Sequence, residues 1–434
     1  MTQRRWTTTS CPPNDIVVIS NLGTAADIAR GRDAAVRCDD RGLSPIHSTY
    51  YDYYFLYTIN REGATVKFRC ERDVLAEALT TAGRAATSRT GALPVLEGLH
   101  LELVGDDLSV TGTDLDMSIR LAVTVGGVSD GAVVVPARLS ADAVKSLPAG
   151  AVEVSAGDDD VTISAGRSQF SLRNYNVDDY PAQVDPAAEA VTLSSTDFAD
   201  ALRQVVRAAS TDEARGVITG VLIAAEDDAV RMVATDSYRL AIRDLPDRGI
   251  LASGQRVLVP HRALSELQRI LSAAEQLTVR LGARHATFEC GHVRLTTRLI
   301  EGDYPNYRNL VPASSENVLT VGKEALLDSL RRVKIMAQRD TSSAVRLKLG
   351  GETLTLSVRD QDYGNVVEEI DVHYEGTEML VGFNPDYLMA GVDAIDADEV
   401  TFALRDPVKA VVLRGVERDD YLYLLMPLRV SSTD

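Results

Sequence analysis

With 434 residues, 45% hydrophobic and 25% charged, the chain has the composition of a folded protein of roughly two to four domains. Its formal charge of −18 and pI near 4.8 exclude a protein that coats nucleic acid with a uniformly basic surface, since such a surface must displace phosphate counterions. No run approaches the ~18 apolar residues of a membrane span, Asp15 to Ser20 is too short for a signal-peptide core, and Cys11, Cys38, Cys70 and Cys290 are neither clustered nor spaced as CxxC; a cytoplasmic protein with reduced thiols, no metal and no cofactor is expected.

Residues 1–64 carry seven Arg, seven acidic residues and a Tyr-rich run from Tyr50 to Tyr57, without sustained periodicity. They are expected to form a poorly ordered extension. After Met1 the next methionine is Met117, so a natural start near Val66 would use a non-ATG codon, and the segment reads as an upstream extension of the frame.

From Val66 onward the chain repeats itself with a domain-sized period, far longer than a solenoid's. The expected units are residues 65–187, 188–316 and 317–434. In the first, an amphipathic segment 72–89 precedes alternating strands Gly98 to Leu103 and Leu108 to Asp114, joined through Asp106 and Asp107. Val133 to Arg138 then feeds a helix from Leu139 to Leu147, and short strands lead to Asp178-Asp-Tyr-Pro181. Asp158 to Asp160 lies between strands and reads as a hairpin turn. The second unit repeats the order: a helix from Thr196, strands Gly220 to Ala224 and Val230 to Asp236, Val257 to Arg262 before the next helix, and Gly302-Asp-Tyr-Pro305 at its close. The third has a segment 323–334, strands Val345 to Leu349 and Leu354 to Asp360, and Leu380 to Pro385 before a helix ending near Ile395. Proline at or near the helix entrances fits a position with no N–H to satisfy. Six helices and many short strands make an α+β fold, with helices on one side of antiparallel sheets.

The positive charge is segregated. Summed over segments 72–89, 138–147, 196–209, 261–273, 323–334 and 385–395, the formal charge is +3, which leaves −21 for the rest. Helical periodicity places Arg203 and Arg207 opposite Phe198, Leu202, Val205, Val206 and Ala209, and puts Arg262 and Arg269 on a shared polar side. Arg331 and Lys334 belong to the most basic segment. A basic helix set on an acidic body suits DNA on one surface; arginine is also an ordinary helix former on any solvated face, which leaves both origins open.

For an enzyme the sequence offers no P-loop, GxSxG, HExxH or GxGxxG, and its six histidines (47, 100, 261, 285, 292 and 373) lack metal spacing. A non-catalytic protein is expected.

The phrases Leu93-Pro-Val-Leu96, Thr111-Gly-Thr-Asp114, Ala234-Thr-Asp-Ser-Tyr-Arg-Leu-Ala241, Gly302-Asp-Tyr-Pro-Asn-Tyr-Arg308 and Leu425-Met-Pro-Leu-Arg429 together resemble the beta sliding clamp family, the processivity subunit of bacterial DNA polymerase III. The resemblance runs from about Val66 to Val430. It implies three clamp domains per chain and a head-to-tail homodimer that closes as a ring around double-stranded DNA, helices inside and sheets outside. By similarity Arg89 is a DNA-contacting arginine; Arg203, Arg207, Arg262, Arg269, Arg331 and Lys334 are inferred from helix faces.

The resemblance also implies a pocket for short clamp-binding motifs of the DNA polymerase III alpha subunit, clamp-loader subunits, other DNA polymerases and repair proteins. Carried over position by position, it falls on Arg215, Ile218, Thr235, Tyr238, Arg239, Leu240, Pro305, Leu310, Leu424, Met426, Pro427 and Leu428. By pattern alone, Met426 to Leu428 would be plain core strand. Ser237-Tyr238 stands where some members have Gly-His, Asn309 where some have arginine, and Ser431 to Asp434 extend the usual end, so a paralogous clamp specialised for repair or drug resistance is the alternative. At the ring interface the resemblance places Phe170 and Leu172 against Ile335 and Met336, with Arg167 near Glu368 and Glu369; by pattern alone the four apolar residues could equally be domain core.

Overall fold

The computed structural model describes residues 66–434 apart from 87–92, 183–187, 227–228, 247–248, 253, 272–275, 313, 338–343, 361–362 and 431–434, and before residue 66 three strands only. The chain divides into two units, Met1–Ala64 and Thr65–Asp434. In the first, Ile16–Val18, Ala35–Asp39 and Gly42–Pro45 form an antiparallel meander. The expected disorder of the remaining N-terminal residues, the tail Ser431 to Asp434 and Arg89 all lie outside the described residues.

Six α-helices occur among the described residues of the second unit: α1 (Arg72–Gly83), α2 (Ala137–Ser146), α3 (Ser195–Val205), α4 (His261–Leu271), α5 (Lys323–Ala337) and α6 (Pro385–Ala394). They pack in pairs, α1 with α2, α3 with α4 and α5 with α6, one pair per repeat. Each presents small or branched apolar residues to a sheet. In α1 these are Leu75, Ala76, Ala78, Leu79 and Ala82, and in α4 they are Ala263, Leu264, Leu267, Ile270 and Leu271. The start of α6 is fixed by Asn384, whose Oδ1 accepts from the N–H groups of Asp386 (2.9 Å) and Tyr387 (3.1 Å), followed by proline at the first helical position.

The strands do not stay within the repeats. An eight-stranded sheet runs in the order Val191–Ser194, Gln276–Leu281, His285–Cys290, Val293–Arg298, Met117–Thr124, Asp107–Thr113, Gly98–Val104, Gly131–Pro136. The second repeat meets the first where Val293 pairs with Leu121 and Thr297 with Met117, antiparallel. A nine-stranded sheet joins the second repeat to the third in the same way, through Arg239–Pro246 and Tyr421–Leu425, with Leu240 opposite Leu424. The first repeat's remaining strands make a five-stranded sheet ending on Ser168–Arg173, and the third's make a four-stranded sheet ending on Gly364–Asp371. Alternation of buried and exposed residues along each strand reveals that a strand is half-buried but carries no mark of which repeat supplies its partner.

Candidate functional site

The twelve residues assigned to the partner pocket come from four separated segments; hydrogen bonds join those around Arg215, Tyr238 and Met426 at the junction of the second and third repeats, and Tyr307 brings the segment from Pro305 to Leu310 into one apolar cluster with Leu240 and Leu424. Strand Ala229–Thr235 ends in a turn through Asp236, Ser237 and Tyr238 before strand Arg239–Pro246 begins. Asp236 Oδ1 accepts from the N–H groups of Tyr238 (2.9 Å) and Arg239 (3.0 Å), and Thr235 Oγ1 donates to the Arg239 carbonyl (2.7 Å). Ser237 is held at φ 75°, the left-handed region that favours glycine. The first repeat builds the same turn from Thr113, Asp114 and Leu115 (φ 78°), with Asp114 accepting from Asp116 and Met117. The turn therefore belongs to the repeat, and what the second copy adds is Tyr238, which is 55% exposed.

Met426 leaves the last strand at this turn, donating its N–H to the Tyr238 carbonyl at 2.8 Å, and its side chain is 40% exposed. Two residues on, Leu428 donates to Gly382 O (2.8 Å). A Cβ on Gly382 would lie 2.5 Å from Val430 Cγ1 and 3.1 Å from Leu428 O, so glycine lets the two segments cross here without displacing Val430. The apolar floor below is a satellite core that contains Leu240 and Leu424 with Leu222, Val233, Leu258 and Tyr307, and Ile218 and Thr235 are also buried. Pro305 and Leu310 are exposed on the segment that links the two repeats, and Pro427 is half-buried. Arg215 Nη1 donates to Asp236 O (2.6 Å) and Nη2 to Ser237 Oγ (3.0 Å), which brings a cation to the rim.

Arg239 lies beneath. Its Nε donates to Asp236 Oδ2 at 2.9 Å and its guanidinium sits 4.2 Å from the centroid of the Tyr387 ring. Burial opposes its charge, but Tyr423 and Asp236 outweigh burial and raise its pKa. Arg239 thus acts as a fastener between the two repeats, a role the residue pattern does not announce. Tyr387 and Asp236 were missed altogether as contributors; the Thr-Asp turn shared by two repeats was the available signal for Asp236, and nothing in the sequence marked Tyr387.

The basic helix residues separate into two groups. Arg207, Arg269 and Arg331 are exposed, each paired to a carboxylate: Arg207 to Asp393 (3.0 Å), Arg269 to Glu266 and Arg331 to Asp328 (2.6 Å). The Arg207–Asp393 and Arg331–Asp328 pairs are exposed on both sides and worth about 0–1 kcal/mol, and all three guanidinium groups stand open to another anion, although Glu266 beside Arg269 is only 13% exposed. Arg203, Arg262 and Lys334 are half-buried and engaged within the chain. Arg203 Nη1 donates to the carbonyls of Asp393 (3.4 Å) and Ala394 (3.5 Å), joining Gln204 Nε2 (3.0 Å) and Lys323 Nζ on the C-terminal carbonyls of α6. These are orphan acceptors at the negative end of a helix dipole. Arg262 is ion-paired with Asp114 of the first repeat, where the guanidinium spans the seam, and Lys334 is ion-paired with Asp386 across α5 and α6.

The residues assigned to the ring interface lie on the outer edge strand of the first repeat and at the end of α5 beside the outer edge strand of the third. Ser168–Arg173 is exposed along nearly its whole length, with Phe170 at the surface and Leu172 half-buried; Arg167 is exposed just before it. Ile335, 66% exposed, and the half-buried Met336 occupy the last turn of α5, which packs on the strand Gly364–Asp371. The carboxylates expected near Arg167 lie on the strand Gly364–Asp371 and differ in their surroundings. Glu368 already accepts from Arg332 (2.7 Å), which holds its carboxyl below the ordinary range, while Glu369 on the same strand is exposed. Among the described residues no group of three or more His, Cys, Asp or Glu could hold a metal, and no helix is long and apolar enough to cross a membrane.

Comparison with known proteins agrees with this architecture repeat by repeat. The models for the N-terminal, central and C-terminal domains of the DNA polymerase III beta subunit match residues 66–185, 192–306 and 308–429. The beta sliding clamp of Streptomyces coelicolor is 34% identical over 383 residues, covering 84% of this chain and 100% of that protein. The beta sliding clamp of Staphylococcus aureus is 30% identical, covering 84% and 99%. Among solved structures, the Caulobacter crescentus beta sliding clamp superposes with a TM-score of 0.80 at 28% identity, over 85% of this chain and all of that one. The Bacillus subtilis sliding clamp gives 0.79 at 26%, over 85% and all of it.

Proposed function

The chain belongs to the DNA polymerase III beta subunit family, and we propose that it works as a sliding clamp that encircles duplex DNA as a head-to-tail homodimer and tethers polymerases and other replication and repair proteins. The observation that carries this is the pattern of sheet edges. Both repeat junctions are made by antiparallel strand pairing, and the two sheets left over end on Ser168–Arg173 and Gly364–Asp371, at opposite ends of the threefold series. Their five and four strands would together make nine, the size of the sheet at the second junction. Exposed edges of this kind invite pairing with another chain, and a head-to-tail contact that closes after two copies makes a ring.

Processivity then follows from topology. A closed ring cannot leave duplex DNA sideways, yet it slides if its phosphate contacts are weak and interchangeable, as exposed Arg207, Arg269 and Arg331 in loose ion pairs would be. The acidic body repels DNA elsewhere. Nothing in this mechanism requires chemistry, so the protein is read as a non-catalytic subunit. Partner peptides would bind between Tyr238, Met426 and the 305–310 segment over the Leu240–Leu424 floor. Clamps of Pseudomonas aeruginosa and Bartonella birtlesii in the matched set carry griselimycin, and the same compound is a ready probe for this chain. The deciding experiment loads the protein on nicked circular DNA and then linearises it. Retention on the circle and loss from the linear form is expected; equal retention on both would overturn the reading.

A further inference from the structure

The segment 299–311 between the second and third repeats runs over one face of the second repeat's sheet as a strap. It is pinned first by Ile300, whose N–H donates to Leu258 O at 2.9 Å, and by Gly302, at φ 135° in a place where a Cβ would meet Val217 Cγ1 at 2.7 Å. The second pin is a carboxylate. Glu226, at the end of strand Gly220–Glu226, accepts from the Tyr307 hydroxyl (3.0 Å to Oε1, 3.2 Å to Oε2), from Arg308 Nη2 (2.7 Å) and from Arg231 Nη1 (3.0 Å). Arg231 is itself locked by Asp244 through two bonds of 2.7 Å. Glu226 is only 16% exposed, so three donors converge on a largely desolvated anion where each bond is charge-assisted. Burial and Glu226 together raise the pKa of Tyr307, which keeps its proton available to donate.

Glu226 stands six residues along its strand from Gly220, the end that Ile218 leads into, which is ~20 Å at strand rise. It is therefore remote from Ile218 at that end, yet it grips two adjacent strap residues, Arg308 and Tyr307, and the Tyr307 ring packs in the apolar floor with Leu240 and Leu424. Tyr307 and Arg308 lie between Pro305 and Leu310, the two strap residues assigned to the pocket wall. We propose that Glu226 is a positioning residue for the partner pocket, holding the strap in its binding-competent place through Tyr307 and Arg308. This rests on the pocket assignment made above.

The test measures binding of a fluorescein-labelled peptide carrying the clamp-binding motif of a DNA polymerase III alpha subunit to the full chain, by polarisation, for wild type, E226A, E226Q, Y307F and M426A. When the competent position of the strap is only partly populated, apparent affinity falls by that fraction. E226A is expected to weaken binding about tenfold, and E226Q and Y307F, which each keep part of the anchor, roughly threefold. Hydrogen exchange supplies the readout that a merely structural role would not move: in E226A the amides of 303–311 exchange faster while those of α3 and the strand Ala229–Thr235 do not. Binding by E226A within twofold of wild type overturns the proposal. So does an affinity loss that comes with faster exchange throughout the second repeat. Failure of the wild-type chain to bind the peptide overturns the pocket assignment, and the role of Glu226 with it.

Discussion

Arg262 and Arg269 sit on one helix seven residues apart, and replacing each with alanine is expected to do different things. Arg262 is ion-paired with Asp114 across the seam between the first and second repeats, at 30% and 11% side-chain exposure. Removing one member of a fully buried pair costs about 3–5 kcal/mol. Here the guanidinium is partly solvated and Asp114 keeps the backbone N–H groups of Asp116 and Met117, which lowers the expected cost to about 1–2 kcal/mol. That corresponds to a fall in Tm of roughly 1–2 °C for a chain of this size unfolding as one unit. Arg269 is 61% exposed and its partner Glu266, three residues earlier, only 13%, with Arg84 4.0 Å from the same carboxylate, so R269A should cost less than R262A, about 0–1 kcal/mol. The DNA experiment reverses the order. Each lost phosphate contact reduces the slope of log affinity against log salt by about 0.9, and R269A should show that loss while R262A should not. Thermal melts measure the first, and the salt dependence of equilibrium binding to a short linear duplex measures the second. An R262A protein with an unchanged Tm and a reduced salt slope would refute the assignment of Arg262 to the seam.

Three further outcomes are expected. Met426→Ala removes an exposed side chain from the pocket rim and should weaken a clamp-binding peptide about tenfold, ~1.4 kcal/mol by calorimetry, with the dimer intact; unchanged affinity would place the peptide elsewhere. Phe170→Ala combined with Ile335→Ala should convert the dimer to monomer in sedimentation velocity, because the two residues are exposed in the single chain and are assigned to opposite sides of one contact; a persistent dimer would rule that contact out. Arg332 lowers the pKa of Glu368 from 4.5, so the folded form binds its proton less readily than the unfolded chain. The contribution of this pair is therefore complete above about pH 4.5 and is lost as pH falls through the lower folded value. Amide exchange along Gly364–Asp371 should rise in that acid window, and Glu368→Gln should remove the pH dependence; a Glu368 that titrates at or above 4.5 by NMR would contradict the pairing.

The helices were legible because each has an internal period that its own residues set. The segments expected at 138–147, 261–273 and 385–395 coincide with α2, α4 and α6 to within two residues, since apolar spacing and proline at or near the entrance are local properties. The Asp-containing turns were legible for the same reason: Thr113-Asp114 and Thr235-Asp236 write the same hydrogen bonds twice. The fate of the cations was not legible. Helical periodicity separates a buried face from a polar one, but Arg203 and Arg207, four residues apart on one polar face, end differently. One lies against the carbonyls at the end of α6, and the other stands exposed beside Asp393.

What separates them is the neighbouring repeat, placed by strand pairing between residues nearly two hundred positions apart, such as Leu240 and Leu424. The same distance hides the contact between Tyr238 and Met426 and the apolar cluster that contains Leu240 and Leu424. Charge on a helix face is thus a local property, whereas its use is decided at the junctions. In this fold Arg203, Arg262 and Lys334 are engaged at contacts between helices and repeats, and Arg207, Arg269 and Arg331 are the more exposed cations. For a protein that must hold DNA without gripping it, such a division would be favourable, with shielded pairs keeping the repeats together and more exposed cations available to phosphates.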